Sequence, residues 1–318
     1  MKGRLADGSL VAVKVVSIEV ESMRGESEFV AELASLANIR HQNLVRLRGC
    51  CVEGARRYLV YDYMHNNSVY HTCLCSQEGR IRFKWEARRQ VSRGVAHGLA
   101  YLHHQLTPHL VHRDIKPTNI LLDSNFLPNI SDFGLAKLFT DDKSYITTKV
   151  AGTLGYLAPE YATSGQVTRK SDVYSFGVLL LQIVTGLPAV DAYQDIDRFI
   201  VEKAWKAYEE KDLIRMVDPT LNNMNVWAEE VVRFLKVGLL CVQETTKLRP
   251  TMLGVVEMLT NDNVDMEDIR ISKPGFVADL RNIRIKKQEG AINSSKESSY
   301  SGAASPSSIF TTTMNVGR

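Results

Sequence analysis

Three short phrases near the middle of this 318-residue chain hold residues able to do chemistry: "VHRDIKPTNILLD" (111–123), "SDFGLAK" (131–137) and "GTLGYLAPE" (152–160). The first carries Asp114, Lys116 and Asn119, and the second carries Asp132. A positioned carboxylate accepts a proton from a hydroxyl. An amide oxygen and a second carboxylate are the oxygen ligands that Mg2+ prefers. Taken singly, each phrase has a plainer reading, because an Asp in a loop is usually a cap or a turn residue. In this order, with gaps this short, chance does not account for the three together.

The phrases match the H-R-D…N, D-F-G and A-P-E set of protein kinases. The stretches "HQNLVRLRGCCVEGARRYLVYDYM", "GLAYLHH", "KVAGTLGYLAPEYATSGQVTRKSDVYSFGVLLLQIVTG" and "LLCVQETTKLRPTM" resemble the plant receptor-like kinase family, most of all its cytoplasmic, cold-responsive type. The resemblance runs from residue 2 to about 287. It implies an ATP-dependent protein serine/threonine kinase of α+β class, with the two-lobed protein kinase fold, a small sheet lobe and a large, mainly helical lobe. ATP and Mg2+ are the implied cofactors, and Lys116 in the catalytic phrase is the feature shared with serine/threonine kinases.

Phosphoryl transfer asks for positioning and charge neutralisation more than for covalent chemistry. The resemblance gives Asp114 the proton of the attacking hydroxyl and puts Lys116 beside the transferred phosphate. Asn119 and Asp132 become the metal ligands, and Lys14 in "VAVK" reaches the nucleotide phosphates. Lys14 needs a carboxylate partner on the following helix. "EFVAEL" points to Glu32, with Glu28 left as a solvated helix charge. Tyr61 stands at the back of the adenine pocket, Asp62, Tyr63 and Met64 form the hinge, and Ala12 and Leu121 pack on the two adenine faces. Glu160 pairs with Arg249 under the substrate platform, which Thr153 lines, and Asp172 braces the catalytic loop from a core helix. Arg113 precedes Asp114 and Lys137 lies close in sequence to Thr147 and Thr148, so a phosphate on either threonine is expected to pair with these cations and order the loop. His97, His103 and His104 read as surface residues of a helix.

These groups need elements to hold them. Asp7-Gly8 is a two-residue hairpin turn between strands "KGRL" (2–5) and 10–15. Residues 26–39 place Phe29, Leu33, Leu36 and Ala37 on one helical face. "NLVRLRGCCV" and "RYLVYDYM" read as strands. Helices are expected at 85–106, 170–186, 195–210, 227–243 and 250–260. The domain expectation is a small lobe and hinge over 1–64, a large lobe over 65–270 and an extension over 271–318. That extension turns Ser/Thr-rich and reads as disordered from about 288.

Composition narrows the function. A net charge of +3 is too small to argue for nucleic acid or a strongly attracted membrane surface, and the basic stretch "RNIRIKKQ" (281–288), the one feature of a nucleic-acid binder, reads equally as a solvated or membrane-leaning patch. The longest apolar run, residues 176–184, is too short to span a bilayer. The five cysteines form no C-x-x-C pair and read as reduced thiols. The resemblance implies protein substrates and a membrane receptor complex as partners, without nucleic acid, for a cytoplasmic protein or one peripheral at the plasma membrane. Oligomeric state stays open.

One family feature is missing. Among 20 glycines no two are separated by a single residue, so G-x-G-x-x-G does not occur. The expectation is a small lobe lacking its first strand and Gly-rich loop, an N-terminally truncated kinase with weakened activity. The alternative is a catalytically silent scaffold or decoy.

Overall fold

The computed structural model describes residues 1–17, 24–139, 145–191, 193, 198–221, 224–266 and 269–277. The Ser/Thr-rich segment from 288 and the basic stretch 281–288 lie outside the described residues.

The first hairpin joins β1 (Lys2–Arg4) to β2 (Leu10–Ser17), pairing Lys2 with Ala12 and Arg4 with Leu10. Its loop is longer than the expected two residues. The Leu5 N–H bonds to the Ser9 carbonyl at 2.9 Å, enclosing Ala6, Asp7 and Gly8. Gly8 takes the left-handed φ of +84° that such a loop needs, and Asp7 Oδ1 accepts from both the N–H and the hydroxyl of Ser9. α1 (Arg24–Leu36) follows, then β3 (Leu47–Glu53) and β4 (Arg56–Asp62). The four strands form an antiparallel sheet in the order β1-β2-β4-β3. α1 buries Phe29 and Leu36 as its spacing predicts, whereas Ala37 lies past the helix end and is exposed. The buried position one turn from Phe29 and Leu36 is Glu32, a carboxylate in an apolar face.

A π-helical turn at Tyr70–Leu74 and a short α2 (Gln77–Arg82), neither expected from periodicity, lead into α3 (Trp85–His104). Small strands then shape the central segment: β5 (His109–Val111), β6 (Ile120–Leu122), β7 (Pro128–Ile130), β8 (Lys137–Phe139) and β9 (Ile146–Thr147). β5 pairs with β8, and β6 with β7. α4 (Pro159–Ser164) precedes β10 (Gln166–Val167), which pairs with β9.

α5 (Arg169–Thr185) is buried continuously from Ser171 to Thr185. A helix apolar all round belongs inside a core, and this one is the axis of the helical lobe. Its start is fixed by Thr168, whose hydroxyl accepts from the Lys170 N–H while the Ser171 hydroxyl accepts from the Thr168 N–H. Its end is Gly186 at φ +69°. α6 (Ile200–Glu209), α7 (Met224–Cys241) and α8 (Met252–Thr260) complete the lobe. α7 crosses α5 where Gly177 and Gly238 meet, each without room for a Cβ. The expected helix at 195–210 is shorter, starting at Ile200, and part of its front lies outside the described residues. A small sheet lobe and a helical lobe are thus joined through residues 63–69. Among the described residues no helix is long and apolar enough to cross a membrane.

Candidate active site

Asp172 on α5 organises the loop that follows β5. Its carboxylate, 0% exposed, accepts from the backbone N–H of His112 at 2.7 Å and of Arg113 at 2.8 Å. Burial alone would raise its pKa, but the hydrogen bond from His103, the neighbouring histidines and the backbone donor hold it below the ordinary carboxylate range. His103 Nε2 lies 3.0 Å from Asp172 Oδ2. The surface reading of His103 is therefore wrong: it is 1% exposed, because the helix turns it toward the buried carboxylate, while His97 and His104 are exposed as expected. His112 Nε2–H donates to the Ser131 carbonyl at 3.0 Å, a tautomer assigned from the network, which leaves Nδ1 facing the Asp114 N–H at 3.3 Å.

This scaffold presents a closed ring of polar contacts. Asp114 Oδ1 accepts the Thr153 hydroxyl at 2.9 Å, and Oδ2 meets Lys116 Nζ at 2.8 Å and Asn119 Nδ2 at 3.0 Å. Lys116 Nζ also donates to Thr153 Oγ1 at 2.8 Å. Residues from "HRDIKPTN" and from the later "GTLGY" thus converge on one carboxylate. The Ser131 N–H and hydroxyl both bond the Asn119 carbonyl, which holds Asp132 beside that ring. Asp132 takes a left-handed φ of +65°, and Phe133 behind it is fully buried against the His112 ring at 4.7 Å.

The sheet lobe contributes Lys14, opposite Leu59 on β4. Lys14 Nζ reaches Glu32 Oε2 at 2.8 Å and Asp132 Oδ1 at 2.6 Å, tying β2, α1 and the D-F-G turn together. Burial works against the ammonium, but the two carboxylates outweigh it and hold its pKa above the usual lysine range. Burial likewise raises Asp132, and Lys14 overrides it, so that the carboxylate sits below its ordinary range. The Tyr61 hydroxyl donates to Glu32 Oε1 at 2.5 Å; burial and the Glu32 charge push that phenol well up. Glu28 is half-buried, with Gly134 packed toward its side chain, so the solvated reading of that residue gives way to a packed one.

The other expected positions fall as follows. Ala12, Met64 and Leu121 are half-buried apolar groups at the edge of the core. Asp62 pairs with Arg48 at 2.5 Å. Glu160 takes both terminal nitrogens of Arg249, at 2.7 and 2.9 Å; the arginine is fully buried and the glutamate is about a quarter exposed, at 26%. The Arg113 guanidinium donates to the carbonyls of Leu135 (2.9 Å) and Lys149 (3.0 Å) and to the Tyr161 hydroxyl. It meets the loop one residue past Thr148, while Thr147 and Thr148 are held along β10 and Gly165, and Lys137 is exposed on β8. Sequence reasoning missed Tyr161 and Lys149 as partners of Arg113, because nothing in their types marks them.

A lysine bridged to helix and D-F-G carboxylates, above a loop aspartate ringed by Lys, Asn and Thr, defines a protein kinase. The family description "Protein kinase domain" matches residues 2–260, and the chain belongs to that family. It is 47% identical over 288 residues to Cold-responsive protein kinase 1 of Arabidopsis thaliana, covering 90% of this chain and 73% of that protein. A protein of Helianthus annuus named as a serine/threonine-protein kinase is 61% identical over 178 residues, 56% of this chain and 74% of that one. An Arabidopsis thaliana protein named as an LRR receptor-like serine/threonine-protein kinase is 46% identical over 281 residues, 88% of this chain. The chain spans only 26% of that receptor-like relative's length.

Proposed function

We propose that the chain transfers the γ-phosphoryl group of ATP to serine or threonine hydroxyls of protein substrates, with Mg2+. The observation that supports this best is the convergence of Asp114, Lys116, Asn119 and Thr153 within hydrogen-bond distance, beside the Lys14–Asp132 pair. Asp114, its carboxylate fixed by three donors, takes or orients the proton of the attacking hydroxyl. Lys116 lies against it and balances charge on the phosphoryl group in transfer. Lys14, held by Glu32 and Asp132, binds the nucleotide phosphates.

The donor set fits Mg2+. Asn119 spends its Nδ2 on Asp114 and keeps its amide oxygen, and Asp132 is an anion next to it. One carboxylate and one amide oxygen, completed by phosphate oxygens and water, suit a metal that rarely takes an all-protein cage. When bound, Mg2+ neutralises the charge of the β- and γ-phosphates. Ala12, Leu121 and Met64 supply the apolar walls for adenine, with Tyr61 at the back and Asp62 in the hinge. Phosphate on Thr147 or Thr148, met by Arg113 and Lys137, is the proposed activating step. Likeness to receptor-like kinases supports a membrane receptor complex as partner, at the cytoplasmic face of the plasma membrane.

The second reading is a catalytically silent, kinase-like scaffold or decoy. One experiment separates the two. The chain is incubated with Mg2+, ATP and a generic protein substrate, with Asp114→Asn and Asp132→Asn as blanks. Phosphoserine or phosphothreonine above both blanks, abolished by a chelator and restored by Mg2+, supports the kinase; incorporation equal to the blanks overturns it in favour of the scaffold.

A further inference from the structure

The match to the kinase family stops at residue 260, yet the chain keeps its order well beyond that point. Residues 269–277 return across the helical lobe as an extended strap. Ile271, Pro274 and Gly275 are buried. The strap lies along the segment after α7 like a short strand. The Glu244 N–H bonds the Lys273 carbonyl and the Gly275 N–H bonds the Val242 carbonyl, both at 3.1 Å, and the Ser272 N–H reaches Gln243 Oε1 at 2.8 Å. Tyr174 on α5 donates its hydroxyl to the Gly275 carbonyl at 2.7 Å.

The groups the strap holds are the ones that hold Arg249. That guanidinium lies 5.0 Å from the Tyr174 ring, and its Nε donates to the Gln243 carbonyl at 2.7 Å. Arg249 in turn grips Glu160 at the end of "GTLGYLAPE". Gly275 also touches that segment directly, since a Cβ there would sit 3.0 Å from Pro159 Cγ and 3.1 Å from Glu244 Cα. A second route starts at Phe276, whose ring lies 5.4 Å from that of Phe199. Phe199 bridges Val190, and Val190 packs so tightly on Gly155 that a Cβ there would lie 2.6 Å away. The strap therefore bears on residues 152–160 at two places, Pro159–Glu160 and Gly155.

We infer that residues 271–277 are a positioning element for the substrate platform, with Gly275 and Phe276 as its contact points. They act through Pro159, Arg249 and Phe199. The inference rests on the kinase reading above, and it adds protein-substrate affinity to what a segment outside the catalytic family match controls.

The test uses full-length Gly275→Ala, Gly275→Val, Phe276→Ala and Phe276→Tyr. Steady-state kinetics are measured with peptide varied and with ATP varied, and amide hydrogen exchange is followed over 150–162 and over 111–123. Tenths of an ångström at the platform should raise the peptide KM by about three- to tenfold in Gly275→Val and Phe276→Ala. KM for ATP should change less than about twofold, and Phe276→Tyr, which keeps the ring, should restore the peptide KM. Exchange should quicken over 150–162 alone. A merely structural strap would shift both KM values together and loosen both segments, and that result overturns the proposal. Unchanged peptide KM and unchanged exchange in a folded Gly275→Val overturn it as well. If the native chain phosphorylates nothing, the kinase reading fails while the exchange measurement still decides this one.

Discussion

Replacing Asp172 tests how the catalytic loop is held. Its carboxylate carries two backbone N–H bonds, at 2.7 and 2.8 Å, and the His103 contact at 3.0 Å, all without exposure to solvent. Hydrogen bonds to a charged group are worth about 1.5–3 kcal/mol each, and such bonds within one network do not add. Asp172→Ala strands two buried N–H donors and one imidazole donor. The expected loss is about 3–5 kcal/mol, comparable to breaking a buried ion pair. Asp172→Asn keeps one acceptor oxygen, and its new NH2 faces a backbone donor, so about 1–3 kcal/mol is expected for the donor left unpaired. The loop between His112 and Asp114 then loses its anchor. A shift of Asp114 by about an ångström would cost on the order of a hundredfold in kcat. Urea unfolding followed by tryptophan fluorescence gives the first quantity, and turnover on a peptide the second. The pH dependence follows from the depressed native pKa. A carboxylate lowered by folding stabilises above its unfolded value, about 3.9, and that contribution is lost as pH falls through the native value. The stability gap between the native chain and Asp172→Asn should therefore narrow below about pH 4. A loss under about 1 kcal/mol in Asp172→Ala, or a gap that widens in acid, refutes the anchoring argument.

Three further outcomes follow from the same geometry. Lys14→Met should lower kcat/KM by about a hundredfold or more, with Glu32 and Asp132 left without their shared cation; nucleotide titration and turnover measure it. Thr153→Val removes the hydroxyl between Lys116 and Asp114 and should cost about tenfold in kcat, while Thr153→Ser should keep most of it, as single-turnover rates would show. Arg88→Met should destabilise by about 3–5 kcal/mol in urea, because Asp218 is left buried beside it, and Arg88→Met with Asp218→Leu should recover part of that loss.

What the sequence made legible divides by distance along the chain. Asp114, Lys116 and Asn119 sit within six residues, so the chain keeps them close and Asn119 Nδ2 bonds back to the Asp114 carbonyl at 2.9 Å. Their order and spacing make the resemblance legible, and the resemblance supplies their roles. Long strands and amphipathic helices were legible for a similar reason, since the period of burial is local. The unread features are polar groups whose partners are remote. His103 meets Asp172 across 69 positions, and Arg88 meets Asp218 across 130. Arg88 is in helical register with Val91, Val95 and Leu99, so periodicity puts it on the buried face while its charge argues for solvent; residue type has no way to register a counter-charge brought in by a remote segment. Glu32 shows the limit from the other side. It lies on the apolar face of α1, where periodicity alone would want a hydrophobe, and only the resemblance distinguished it from Glu28.

The arrangement of contacts around α5 explains why the site needs a large lobe at all. Asp172 holds the loop of Asp114. One turn on, the Ser175 hydroxyl bonds the Tyr156 carbonyl at 2.7 Å, and Gln182 accepts the Tyr156 hydroxyl at 2.5 Å, so the same helix holds the platform segment. Tyr174, between them, holds the strap. Four polar side chains on one buried helix thus reach the catalytic loop, the segment that carries Thr153 and the segment that braces it. A polar group in a core is costly unless it is bonded, so each of these contacts is also a constraint on where its partner can lie. α5 is itself fixed by close backbone contact with α7 at Gly177 and Gly238. Asp114 and Thr153 are 39 positions apart, and the 2.9 Å between them is set by a rigid body that neither residue belongs to.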